Sequence, residues 1–64
     1  MEEGDLVRIL EQVVGFAEVG QFAIVIDKIT LSSGKNLYEC CLFSEQYGEI
    51  CYAPYYEDEL ERVE

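Results

Sequence analysis

The chain has 64 residues, half of them apolar, and sets 14 acidic side chains against 4 basic ones for a formal net charge of −10. That length makes one domain, near the lower limit for folding without a disulfide, a metal or a partner, and the apolar half separates it from a disordered acidic tail. The lack of any histidine excludes imidazole acid–base chemistry and imidazole-dependent zinc sites, and four cations are too few for a dense phosphate-binding footprint.

No apolar run approaches the ~20 residues of a membrane span, and no charged-then-apolar leader is visible, so neither insertion nor export is expected. Glycines at 4, 15, 20, 34 and 48 cut the chain into short blocks, the punctuation of an all-β domain. Residues 5–14 fit two templates. Leu6, Ile9, Leu10, Val13 and Ala17 recur at helical spacing, with Asp5 as N-cap and Gly15 beyond the C-terminus. As a strand, the same block turns Val7 and Ile9 inward, and its period slightly favours the helix. Residues 22–31 are rich in β-branched side chains and free of Gly and Pro. Phe22, Ile24 and Ile26 take one face, and Ala23, Val25, Ile29 and Leu31 populate the other. Ten residues exceed the usual strand length of about 5–6, which fits a strand that bends and serves two sheets.

Residues 32–36 form a turn by composition. In the next block, 37–43, Tyr38, Cys40 and Leu42 share one face, with Leu37, Glu39, Cys41 and Phe43 on the other. A second turn covers 44–48. A fourth strand runs over 49–53 and ends at Pro54, which cannot donate to a ladder. One tight helical turn is expected over 55–59 and a last short strand over 60–63. The order predicts a single domain over 1–64: an all-β, strongly bent, five-stranded SH3-like (Sm-like) barrel. A short N-terminal helix is the alternative for its first block.

Three stretches carry a resemblance: Gly4-Asp5-Leu6-Val7-Arg8, Ile24-Val25-Ile26-Asp27, and Tyr55-Tyr56-Glu57-Asp58-Glu59-Leu60-Glu61-Arg62-Val63. Together they resemble the small SH3-like barrel proteins of tailed phages, including those of cyanobacterial phages and marine metagenomes. The likeness covers nearly the whole chain in short, generic pieces. It departs at Ala23, where glycine is usual, at Leu42 or Phe43, where tryptophan is common, and in the extra Cys40-Cys41 pair. The resemblance implies a strand for the first block and the cytoplasm of a bacterial host. The neighbouring Sm-like branch forms rings that bind RNA. Its sequence signatures are not visible here, so that link is fold analogy alone.

Cys40, Cys41 and Cys51 are odd in number, and two are adjacent, so on a strand they point to opposite faces. They read as reduced, small apolar residues. A catalytic thiol needs a base or a cationic setting. Here Arg8, Lys28, Lys35 and Arg62 are scattered among acids, so no catalytic residue is expected. The Cys-Cys-x9-Cys spacing is not a zinc-knuckle pattern, and neither a metal nor a cofactor is expected. Glu57, Asp58, Glu59, Glu61 and Glu64 read as a solvated acidic edge that deters strand pairing.

Tyrosines 47, 52, 55 and 56 cluster around Pro54. With Phe43 they make the candidate interaction surface Phe43, Tyr47, Tyr52, Pro54, Tyr55 and Tyr56, since tyrosine buries area and keeps a polar tip. Two of these rings belonging to the core, and the rest to a subunit interface, is the plainer alternative. A barrel this small holds about 12–16 inward side chains, from alternation along five short strands, fewer than the apolar residues present. The expectation is a non-enzymatic, self-assembling module in which the second apolar face meets another copy, with strand edges pairing in a closed ring. One alternative is an Sm-like ring binding single-stranded RNA or DNA, which must overcome the charge of −10. Another is an SH3-like domain holding basic, Pro-rich peptides, with Glu11 and Glu18 as the acids.

Thiol titration of the denatured protein, purified without reductant, is expected to count three free thiols. Elemental analysis that returns one zinc per chain would refute the reading of the cysteines.

Overall fold

The computed structural model describes residues 1–15 and 17–63, so Glu64 of the acidic terminus lies outside the described residues. Five strands follow in chain order: β1 Leu6–Ile9, β2 Phe22–Thr30, β3 Asn36–Ser44, β4 Glu49–Tyr56 and β5 Leu60–Arg62, with a 3-10 turn Glu57–Glu59 before β5. All pairings are antiparallel, in one sheet of order β4-β3-β2-β1-β5. The fold is therefore all-β. Among the described residues no helix is long and apolar enough to cross a membrane.

The first block is a strand, and the helical alternative for residues 5–14 is overturned. Val7 and Ile9 are buried, whereas Leu6, Leu10 and Val13 of the helical stripe stay substantially exposed. β1 is paired on both sides, Val7 opposite Ala23 of β2 and opposite Arg62 of β5. An isolated helix of ten residues is marginal, so two ladders outweigh a weak local preference.

β2 does not divide between two sheets. A bulge between Val25 and Asp27 absorbs its excess length; bulges bend a strand and sharpen its twist. Beyond it, Asp27–Thr30 are exposed and pair with β3 alone. β4 does not stop at Pro54 but continues to Tyr56. It is an edge strand, and proline is tolerated there because its missing donor faces away from the ladder. The backbone N–H of Tyr56 likewise turns outward, to Glu59 Oε1 at 2.7 Å.

β4 and β5 lie at opposite edges of the sheet, yet only Glu57–Glu59 separates them in the chain. A link of that length reaches no more than ~14 Å, so the sheet curls until those ends approach. No β4–β5 ladder closes it among the described residues. The concave side becomes the core by two-residue alternation: Val7, Ile9, Ala23, Val25, Tyr38, Cys40, Leu42, Ala53, Tyr55 and Leu60, with Ala17 added from the β1–β2 loop. The loop's return is held by Gly20, at φ +89°, whose N–H donates to Ile9 O at 2.7 Å. Only a residue at ease in left-handed backbone turns there without strain.

The two largest core side chains differ in one atom's fate. The Tyr38 hydroxyl donates to Glu57 Oε1 at 2.9 Å and ties β3 to the 3-10 turn. The Tyr55 hydroxyl is buried with no hydrogen-bond partner among the described residues. Tyr55→Phe is therefore expected to be neutral or stabilising by about 1 kcal/mol, because it removes an unpaid desolvation. Tyr38→Phe is expected to cost about 1 kcal/mol, and Ile9→Ala about 2–5 kcal/mol, a large share of the ~3–10 kcal/mol expected for this length. Urea unfolding of the three variants checks the order. Tyr55→Phe as costly as Tyr38→Phe would contradict it.

Candidate interaction surface

Alternation that fills the concave side leaves a second set of apolar residues on the convex side. Leu6, Ile24, Cys41 and Tyr52 stand opposite one another in a single row across β1, β2, β3 and β4. The neighbouring row holds Arg8 opposite Phe22 and Phe43 opposite Ile50. Phe43 is 51% exposed and Tyr52 58%, with Phe22, Ile24 and Ile50 close to half. With aromatic side chains of about 150–250 Å² each and smaller Leu and Ile side chains between them, the half-exposed rows amount to an apolar patch on the order of 600 Å². That is at the top of the range for a soluble monomer.

Charge meets the patch at its two ends. The Arg8 guanidinium lies 5.1 Å from the centroid of the Phe22 ring and 3.9 Å from Glu61 Oε1. Both contacts are exposed and worth at most about 1 kcal/mol. Glu39, opposite Pro54 in the next row, bounds the other end.

The six candidate residues do not share one surface. Phe43, Tyr52 and Pro54 are on the convex side. Tyr47 sits in the β3–β4 turn, its N–H donating to Ser44 Oγ at 3.2 Å. Tyr55 is wholly buried and belongs to the core, which corrects its place on the candidate surface; neighbours on a strand point to opposite faces. Tyr56 lies in a separate cleft of about 390 Å³ with Glu11, Lys35, Glu57 and Glu59, and the Lys35 ammonium stands 5.7 Å from its ring centroid. Glu18 lines a different cleft of about 560 Å³ beside Gln21, Phe22 and Phe43, where the Gln21 amide donates to the Phe43 carbonyl. The two acids proposed for a peptide groove are thus apart. Leu6, Ile24, Cys41 and Ile50 belong to the patch without having been singled out. Their common parity was the available signal.

The cysteines separate as adjacent strand residues must: Cys40 points inward and is buried, while Cys41 and Cys51 are partly exposed. Burial, and then the charge of Glu39, push the Cys40 thiol up to about 11. Burial also raises the Tyr55 and Tyr38 hydroxyls above the usual phenol value. None of these groups is poised as a nucleophile at neutral pH. Among the described residues no group of three Cys, Asp or Glu side chains is placed to hold a metal ion. Compared with protein-family models, curated proteins and solved structures, the chain matches none.

Each raised value means that folding favours the protonated form. The stability this gives is fully present below the unfolded thiol value near 9 and is lost as pH rises through about 11. Unfolding midpoints are expected to stay level from neutral pH to about 9 and then fall. In the native protein at pH 8, at concentrations too low for self-association, iodoacetamide is expected to modify Cys41 and Cys51 well before Cys40. Equal rates at all three would show that Cys40 is not sequestered.

Proposed function

We propose that this chain is a non-enzymatic, self-assembling interaction module built on a small SH3-like barrel, of the type carried by tailed phages and at work in a bacterial cytoplasm. The observation that carries it is the convex apolar patch of Leu6, Phe22, Ile24, Phe43, Ile50 and Tyr52, held on regular strands with charge at its two ends. A rigid apolar face of that size on so small a domain is an association surface. The strand order β4-β3-β2-β1-β5 and the curl of the sheet support the barrel. The deeply buried Cys40 thiol is held protonated at neutral pH by burial and by Glu39, which supports a non-enzymatic reading.

A nucleic-acid-binding ring finds less support. Among the described residues, Arg8 is the cation beside the aromatic rows, and it is engaged with Phe22 and Glu61. Phosphate binding needs many such charges.

Light scattering on a size-exclusion column is expected to return a multiple of the 7.3 kDa chain mass at tens of micromolar. A monomer at that concentration would end this proposal and assign the patch to a foreign partner. In the same samples a single-stranded RNA oligomer is expected not to bind. Sub-micromolar binding that falls steeply with salt would put the nucleic-acid ring first.

A further inference from the structure

We infer that the assembly is a closed dimer of two copies packed convex face to convex face, and not a ring laced through strand edges. Face pairing presupposes the self-assembly proposed above and specifies its surface and partner.

The edges argue first. In an antiparallel strand the N–H and C=O of one residue point to the same side, and the next residue's point to the other. Because Tyr56 N–H turns outward to Glu59 Oε1, the outward positions of β4 are 50, 52, 54 and 56. Position 54 is proline and has no donor, and Tyr56 is already taken. Only Ile50 and Tyr52 still offer an N–H. On β5, Val63 N–H donates to Leu6 O and Glu59 O accepts from Leu10 N–H, so positions 60 and 62 face outward. Leu60 N–H donates to Glu57 O, which leaves Arg62 alone. A ladder between a two-donor edge and a one-donor edge is too short to hold subunits in a ring, and short, blunted, charged edges are how proteins discourage such pairing.

The face argues second. A patch on the order of 600 Å² from each copy puts roughly 1,200 Å² into a dimer interface, the lower bound for a specific complex. One copy alone leaves the patch in water, and a third adds nothing once two faces have closed on each other. Sheets stack face to face about 10 Å apart with aligned strands. The regular rows of Leu6, Ile24, Cys41 and Tyr52 and of Phe22, Phe43 and Ile50 present the ridged surface that such packing uses. Two molecules of charge −10 repel, so the dimer must tighten as salt shortens the Debye length from ~10 Å at 0.1 M to ~3 Å at 1 M.

Three chains decide it by light scattering at matched concentrations: the native chain, Phe43→Lys on the face, and Arg62→Pro, which removes the last free donor of β5. The expected masses are two copies, one copy and two copies, with the native dimer persisting to lower concentration in 1 M salt. Phe43→Lys still dimeric, Arg62→Pro reduced to a monomer, or a native assembly of three or more copies would overturn face pairing and leave self-assembly standing. A monomeric native chain would overturn both. Should Phe43→Lys lose the all-β circular dichroism spectrum, the native chain supplies the test. Iodoacetamide labelling of Cys41, in the middle of the face, is expected to slow by about tenfold or more as concentration crosses the dimer range, since only the free monomer exposes it. A Cys41 rate independent of concentration while the native mass doubles would overturn face pairing.

Discussion

The curl of one sheet around Val7, Ile9, Val25, Tyr38 and Tyr55 is the constraint on which everything else depends. A domain of 64 residues has material for one layer, and that layer buries one of its faces by bending over it. The three-residue link between β4 and β5 draws opposite edges together, and the bulge after Val25 allows the bend. Alternation then leaves the convex face to whatever hydrophobic residues the same strands contain. Here those residues are large and stay about half exposed. The exposed patch follows directly from a single-layer architecture written with apolar residues at both parities of β2 and β3.

Charge in this protein acts by where it is not. Most acids lie in the turns and the 3-10 turn, with Asp27, Glu39 and Glu61 inside strands, and among the described residues two ion pairs, Arg8–Glu61 and Arg62–Asp5, sit at the β1–β5 side. The row of Leu6, Ile24, Cys41 and Tyr52 is uncharged, and the neighbouring row carries Arg8 at its β1 end. Repulsion between copies is therefore long-ranged and screened by salt, whereas attraction between faces is short-ranged and hydrophobic. In the proposed dimer, that separation makes association concentration- and salt-sensitive without a titrating switch. Within the core, polarity is treated unevenly. Tyr38 uses its hydroxyl to anchor the 3-10 turn that positions β5, while Tyr55 contributes only its ring. A core this small takes such bulk because few other side chains fill the space between β3 and β4.

Much of the fold was legible in the sequence, and the exceptions have physical causes. The glycine-punctuated blocks, the inward set Tyr38, Cys40 and Leu42, and the final tight turn follow from turn chemistry and from period-two spacing, which are local. The stop at Pro54 was wrong because a proline's effect depends on whether its strand has a neighbour on the donor side, a property of sheet order. The period of residues 5–14 pointed slightly to a helix because local periodicity cannot register ladders on two sides. The tyrosine cluster around Pro54 suggested one surface, but neighbours on a strand are opposed, and Tyr55 and Tyr56 lie on different sides of the sheet.

The sequence by itself determined the class of object: one small all-β domain, acidic, without imidazole, with more apolar side chains than one core can hold. Those properties come from composition and from spacing along the chain, which no folding alters. Only the tertiary structure decided where the surplus goes. The rows of Leu6, Ile24, Cys41 and Tyr52 and of Phe22, Phe43 and Ile50 are assembled from four strands whose mutual register is set by the bulge and by edge-to-edge order, contacts between residues far apart in sequence. Tertiary structure also decided which edge donors remain free, because Glu59 and Glu57 cap Tyr56 and Leu60 only once the chain has turned back on itself.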